Sequence, residues 1–289
     1  MGLVQEHWHE QPEEHEAALA QGIHIAAAEG ARLVCLQELT LSPYFAISAD
    51  GLDAARGRAE EIPGGPTTAF AARMAAETGV HVHASLYERN DADPDGLGYN
   101  TAICVAPSGE LVARTRKLHI PVTAGYHEDR YFRPGPAGTG DEFPVVALGD
   151  ARLGFPTCWD QWFGELARAY SLAGADVIVY PTAIGSEPDH PGFDTEPLWQ
   201  QVIVGNGIAN GTFMVAVNRI GDEPPLRFYG SSFISDPYGR VLAQAPRDEG
   251  AVLVADLDLD QRRDWLELFP FLATRRPDAY GPLTKGLSQ

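Results

Sequence analysis

The strongest constraint on this 289-residue chain is a unit that occurs four times. In each copy a stretch with helical spacing runs into a glycine and is followed by a short β-branched apolar run. The copies span residues 17–30 with 31–36, 67–79 with 80–86, 165–174 with 176–180, and 197–211 with 213–217. Glycine at the end of a helical run is what a left-handed C-terminal cap demands. The apolar runs are continuous rather than alternating, as in strands covered on both faces. Two hairpins fall between the units. One joins 100–106 to 110–115 through Pro107-Ser108-Gly109, and the other joins 231–235 to 240–245 through Asp236-Pro237-Tyr238-Gly239. Both turns carry Pro and Gly where type I or II turns want them. Two halves of this kind predict one α/β domain over residues 1–289, with mixed sheets and internal pseudo-symmetry. No linker or charge run long enough to divide the chain interrupts it.

Composition narrows the class. At 44% hydrophobic and 21% charged residues, the chain buries enough apolar surface to offset its ordering entropy. No apolar run approaches the roughly 18 to 20 residues that span a bilayer, so a soluble protein with no membrane partner is expected. Forty acidic against 21 basic residues give a net charge of −19, which repels phosphate backbones and favours a cationic ligand over nucleic acid. Residues 1–16 are acidic and His-rich, without the positive stretch and apolar core of a signal peptide. Glu6 stands where a myristoylation signal needs Ser or Thr. Three cysteines do not make a disulfide scaffold and fit a reducing cytoplasm.

Of the 21 basic residues only Lys117 and Lys285 are lysine. Arg does not replace Lys where a compact, deprotonatable ammonium is required, so the internal Lys117 calls for an explanation that the tail residue Lys285 does not. Cys35 and Cys104 lie inside apolar strand runs and read as small hydrophobes. Cys158 follows the strand-like run 152–155, at the bend before the next helix. That junction sets backbone N–H groups beside the thiol, an arrangement expected to favour thiolate and to offer an oxyanion hole. Glu38 closes the run 33–37, where α/β enzymes put their chemistry, and Lys117 closes the run 111–115. The bland alternatives are a buried Cys, a solvated loop Glu and a loop Lys. If the three strand ends converge, they bring together an acid/base, an oxyanion-stabilising cation and a nucleophile. His81 and His83 have strand spacing but no matching acidic or Cys ligand, so a metal site there is not expected. No Gly-x-Ser-x-Gly elbow or phosphate-binding loop is present, and the glycines of 205–211 run one residue too long for a dinucleotide loop.

Leu36-Gln37-Glu38-Leu39, Arg116-Lys117-Leu118-His119-Ile120-Pro121 and Pro156-Thr157-Cys158-Trp159-Asp160-Gln161-Trp162-Phe163-Gly164-Glu165 resemble the three catalytic motifs of the nitrilase, or carbon-nitrogen hydrolase, family. Within it the chain is similar to the N-carbamoylputrescine amidohydrolases, through 125–132, 180–188 and Asn218-Arg219-Ile220-Gly221. The resemblance implies an αββα sandwich that pairs into a homodimer, a Glu-Lys-Cys triad, no cofactor and no metal. Carried over, Glu38 is general base and then acid, Lys117 stabilises the oxyanion, Cys158 attacks, and the N–H of Trp159 completes the hole. Glu128 matches a second buried glutamate that positions substrate and Lys117, and Tyr44 joins the supporting residues. The sequence departs from the family in having Gln37 and Gly164 where Pro is usual, and a first strand that looks clipped.

The activity so implied is release of ammonia from a carbamoyl amine, with N-carbamoylputrescine first and another small linear amide or carbamoyl amine as the rival. A catalytically silent interaction module is the alternative of another class, against which an intact Glu38, Lys117 and Cys158 argue. A cationic substrate needs a carboxylate near Cys158. Asp160 is expected to brace the turn, whereas Glu187, in the loop after 176–180, is the candidate that reads the substrate's ammonium.

Overall fold

The computed structural model describes residues 1–92 and 95–286. Its first half runs β1 (Gly2–Gln5), α1 (Pro12–Ala28), β2 (Leu33–Cys35), α2 (Pro66–Thr78), β3 (His81–Glu88), β4 (Tyr99–Val105) and β5 (Leu111–Arg116). A small hairpin of β6 (Val122–Thr123) and β7 (Tyr126–His127) follows. The second half runs β8 (Val145–Leu148), β9 (Ala151–Gly154), α3 (Gly164–Leu172), β10 (Val177–Pro181), α4 (Glu196–Asn210) and β11 (Phe213–Val217). After it come β12 (Ile220–Glu223), β13 (Leu226–Tyr229), β14 (Phe233–Ser235), β15 (Val241–Gln244), β16 (Ala251–Val254) and α5 (Asp260–Leu268). All four predicted helix-strand units and both hairpins are present. Gly79 and Gly211 take the left-handed cap positions at φ 72° and 63°.

Two six-stranded sheets result, ordered β16-β1-β2-β3-β4-β5 and β15-β14-β11-β10-β9-β8. Each has a parallel centre, β1-β2-β3 in one and β9-β10-β11 in the other, with antiparallel strands outside. The mixed sheets and the pseudo-symmetry are therefore as expected. One departure is that β16, near the end of the chain, crosses back to pair with β1, Leu3 opposite Leu253.

Three apolar layers make the sandwich. Leu19, Ile23, Phe70 and Met74 of α1 and α2 pack on Val34, Val82 and Ile103 of the first sheet. Leu166, Tyr170, Trp199 and Ile203 of α3 and α4 pack on Ile178, Tyr180 and Met214 of the second. Between the sheets, Leu33, Cys35 and Cys104 meet Phe155, Val177, Val179 and Val215. Neighbouring residues of one strand thus feed different layers, Val177 and Val179 inward and Ile178 outward, so β10 is buried on both faces. Each such side chain contributes about 1.5–3 kcal/mol on burial.

Cys35 and Cys104 lie in the middle layer as expected, and burial pushes the Cys104 thiol up to about 12 and Cys35 higher still. His83 lies there too, stacked on Phe155 at 5.0 Å. Burial holds its ring neutral, with a pKa near 3.

Gly154, at the end of β9, faces the ring of Tyr170 in α3. A Cβ there would meet Cδ1 of Tyr170 at 2.3 Å. Because both sides of this contact are fully buried, Gly154→Ala should destabilise the fold by about 1–3 kcal/mol through overpacking, measured by chemical denaturation. An unchanged midpoint would mean that α3 shifts without cost.

Candidate active site

The site forms where the two sheets end. Glu38 lies three residues beyond β2, Lys117 directly follows β5, and Cys158 lies four residues beyond β9. The backbone turns sharply at Leu39 (φ 50°) and at Cys158 (φ 40°), conformations that cost a non-glycine residue energy and persist where surrounding structure enforces them. At the first turn that structure is Arg219, just beyond β11. Its buried guanidinium donates from Nη2 to the carbonyls of Glu38 (2.7 Å), Leu39 (3.3 Å) and Ser42 (3.1 Å), and from Nη1 to Glu223 (2.6 Å).

A buried charge cluster occupies the centre. Lys117 Nζ donates to Glu38 Oε1 at 3.0 Å and to both oxygens of Glu128 at 2.8 and 2.7 Å. Burial alone disfavours the ammonium, but the carboxylates of Glu128 and Glu38 outweigh it and hold Lys117 above the ordinary lysine value. Burial pushes the Glu128 carboxyl up, Lys117 pulls it down, and the Glu38 charge adds to the rise. Tyr44 donates to Glu128 Oε1 at 2.7 Å, and burial and that carboxylate hold the phenol far above its usual value. Glu38 Oε1 also accepts from Asn100 Nδ2 at 2.7 Å, whereas Oε2 is buried without a hydrogen-bond partner. The cluster thus leaves one carboxylate oxygen unsatisfied and available to take a proton.

Cys158 opens a 3-10 turn that extends to Trp162. The first backbone bond of this turn runs from Asp160 N to Thr157 O at 3.0 Å, so the N–H groups of Cys158 and Trp159 precede it and have no acceptor within the turn. The expectation that this junction favours thiolate is not met. Burial pushes the Cys158 thiol well up, the negative charges of Glu38 and Glu128 push it further, and Lys117 and the Ala183 amide only partly oppose them. A thiol held that high needs a base beside it before it can serve as a nucleophile.

Asp160 braces the turn, as anticipated. Its carboxylate accepts from Thr157 N (3.1 Å), His119 N (3.0 Å) and the His119 ring (2.7 Å), docking the segment after Lys117 onto the Cys158 turn. Gln161 does the same towards α4, accepting from Trp199 Nε1 and Asn206 Nδ2 at 2.9 Å each. Gln37, in place of the usual Pro, is buried and accepts from Glu6 N at 3.2 Å.

Glu187 is half-buried and accepts from Thr195 at 3.3 Å. Burial holds the phenols of Tyr126 and Tyr229 well above their usual values, and both lie within electrostatic range of Glu187 and of Cys158. Ser186 and Thr195 line a cavity of about 430 Å³ together with Phe193, Asp194, Tyr229 and Arg247. The sequence reading assigned roles to neither Asn100 nor Arg219. The Asn218-Arg219 pair beyond the end of β11 was the available signal for the second, since a polar pair at a buried strand end needs partners.

Arg219→Lys removes the planar fork and leaves the three carbonyls and Glu223 short of donors. The change should cost about 1–3 kcal/mol of stability, read by thermal or chemical denaturation. Wild-type stability would show that the Leu39 turn holds itself.

Comparison with known proteins agrees with this architecture. The carbon-nitrogen hydrolase family model matches residues 2–267. The chain is 38% identical over 266 residues to an N-carbamoylputrescine amidase of Solanum lycopersicum, covering 89% of this chain and 85% of that protein. It is 35% identical over 295 residues to a citrullinase of Francisella tularensis, covering 99% and 98%. The crystal structure of a carbon-nitrogen hydrolase from Helicobacter pylori superposes with a TM-score of 0.83 at 30% identity, covering 99% and 98%. The chain belongs to the carbon-nitrogen hydrolase family, and its αββα architecture is that of the nitrilase fold.

Proposed function

We propose that this hydrolase acts on N-carbamoylputrescine through a covalent Cys158 intermediate, giving putrescine, carbon dioxide and ammonia. The observation that carries the reading is the buried Glu38, whose Oε2 has no partner while its charge acts on the Cys158 thiol. In the first half-reaction the sulfur attacks the ureido carbon and the thiol proton passes to Glu38. The oxyanion is met by the Lys117 ammonium and the Trp159 N–H. Collapse breaks the bond to the terminal nitrogen, and ammonia leaves with the proton from Glu38. Water activated by the same carboxylate then attacks the carbamoyl thioester, restoring the thiol and releasing a carbamate that decomposes to amine and carbon dioxide. Glu128 and Tyr44 hold Lys117 in place.

The substrate assignment rests on Glu187, which accepts from Thr195 in the wall of a cavity of about 430 Å³, room enough for a four-carbon amine, and on relatives that carry that activity in their names. A second reading is favoured by Arg247, which lines the same cavity and is paired with Asp194 at 2.8 Å. Citrulline is N-carbamoylputrescine with a carboxylate added on the carbon bearing the ammonium. Glu187 would read the ammonium of either compound, and only citrulline would use the guanidinium. Action in the cytoplasm as a homodimer belongs to the same proposal. Three free cysteines support the first, and α5, which buries none of its residues and leaves Leu268 exposed beside Phe269, supports the second.

Lys117→Arg tests the oxyanion role. The longer, planar guanidinium misplaces the charge, so the variant should lose about as much as Lys117→Ala, at least roughly a hundredfold in kcat; near-normal kcat would remove Lys117 from the mechanism. Ammonia release from N-carbamoylputrescine, citrulline and neutral N-butylurea tests the substrate. Glu187→Gln should raise KM for N-carbamoylputrescine about tenfold or more, a loss of about 1.4 kcal/mol, and leave butylurea turnover nearly unchanged. A wild-type preference for citrulline selects the second reading, and a preference for butylurea rejects both.

A further inference from the structure

We propose that Glu6, His7 and His9 form a binding site for a divalent metal of borderline softness, Zn(II) or Ni(II) in character, separate from the catalytic cluster. The His-rich stretch after β1 takes no part in the chemistry above, yet its donor atoms converge. One ligand atom from each of the three residues lies within 4.8 Å of the others. Glu6 Oε1 is 3.6 Å from His9 Nε2 and 2.5 Å from His7 Nδ1. Donors around a tetrahedral zinc are separated by about 3.4 Å. The His9 spacing is already close to that value, and half-exposed His7 needs to withdraw by less than an ångström. The two imidazole rings lie 3.9 Å apart, tilted at 35°, close enough for a nitrogen of each to reach one cation.

Independent support comes from His9 Nε2 itself, which is sealed from solvent and has no hydrogen-bond partner. Such an atom costs free energy unless something satisfies it. The backbone holding the donors is fixed rather than trailing. Glu6 O accepts from Ile220 N at 3.3 Å, Glu6 N donates to Gln37 at 3.2 Å, and Trp8 packs on His15 at 4.5 Å. Three protein ligands leave one position for water, and the net charge of −19 favours cation capture.

Titration of the full-length protein with Ni(II) by calorimetry, alongside Cys158→Ala, His9→Ala and Glu6→Gln, tests the site. Wild type and Cys158→Ala should bind one ion with equal affinity, while His9→Ala and Glu6→Gln should each bind at least about tenfold more weakly. Ni(II) should also raise the melting temperature of wild type and not that of His9→Ala, and Glu6→Gln carries the test if His9→Ala does not fold. Absence of binding to wild type, unchanged binding in the two ligand variants, or loss of binding in Cys158→Ala overturns the proposal. The last result would move the metal to the active-site thiol.

Discussion

A single ammonium between two carboxylates, all three out of contact with water, is the interaction around which the rest of this structure is arranged. Lys117, Glu38 and Glu128 come from three separate elements, and each would be intolerable there alone. Removing one partner from a buried ion pair typically costs about 3–5 kcal/mol, because the survivor keeps its desolvation penalty. The cluster therefore welds the end of β2, the end of β5 and the loop after β7 into one body. It also explains why a chain that uses Arg almost everywhere has Lys here. The three contacts of 2.7–3.0 Å converge on one nitrogen, which a guanidinium spreads over a plane.

Around that cluster, polar side chains act as braces rather than reagents. Arg219 grips the carbonyls of the Glu38 turn from β11, and Asp160 ties the segment after Lys117 to the Cys158 turn. Gln161 ties that turn to α4. Each brace joins chain segments distant in sequence, so the site is assembled only when both sheets have closed on each other. The strained φ angles at Leu39 and Cys158 are the visible cost of turning the chain so that a carboxylate and a thiol face one another. The same enclosure pushes the Cys158 thiol well above its usual value and leaves one oxygen of Glu38 without a partner.

Beyond the buried charge cluster, the walls are aromatic. Tyr44 meets Tyr126 and Phe228 edge-on at 5.9 and 5.7 Å, giving a dry surround in which charges act strongly. On the proposed function, specificity falls to charged groups. Arg247 lines the cavity and Glu187 bonds to its wall residue Thr195, and the two proposed substrates differ by one carboxylate. A difference of that kind is read by a single cation, not by the size of the pocket.

Much of this was legible in the chain itself. Helices and strands followed from local chemistry, because the 3.6-residue spacing, the capping glycines and the uninterrupted apolar runs are properties of short segments. The candidate site positions were legible because Glu38, Lys117 and Cys158 each close a strand run, and lysine is rare enough here to single out Lys117. Tertiary structure alone decided the rest. The pairing of β16 with β1 joins residues about 250 apart, and no local signal carries such a register. The protonation of Cys158 likewise escaped the sequence: a strand-to-helix bend predicts thiolate, and only the burial and negative charge supplied by distant elements reverse it. Arg219 and Asn100 acquire their roles by folding against Glu38, since a buried polar group is defined by its partners and those partners lie elsewhere in the chain.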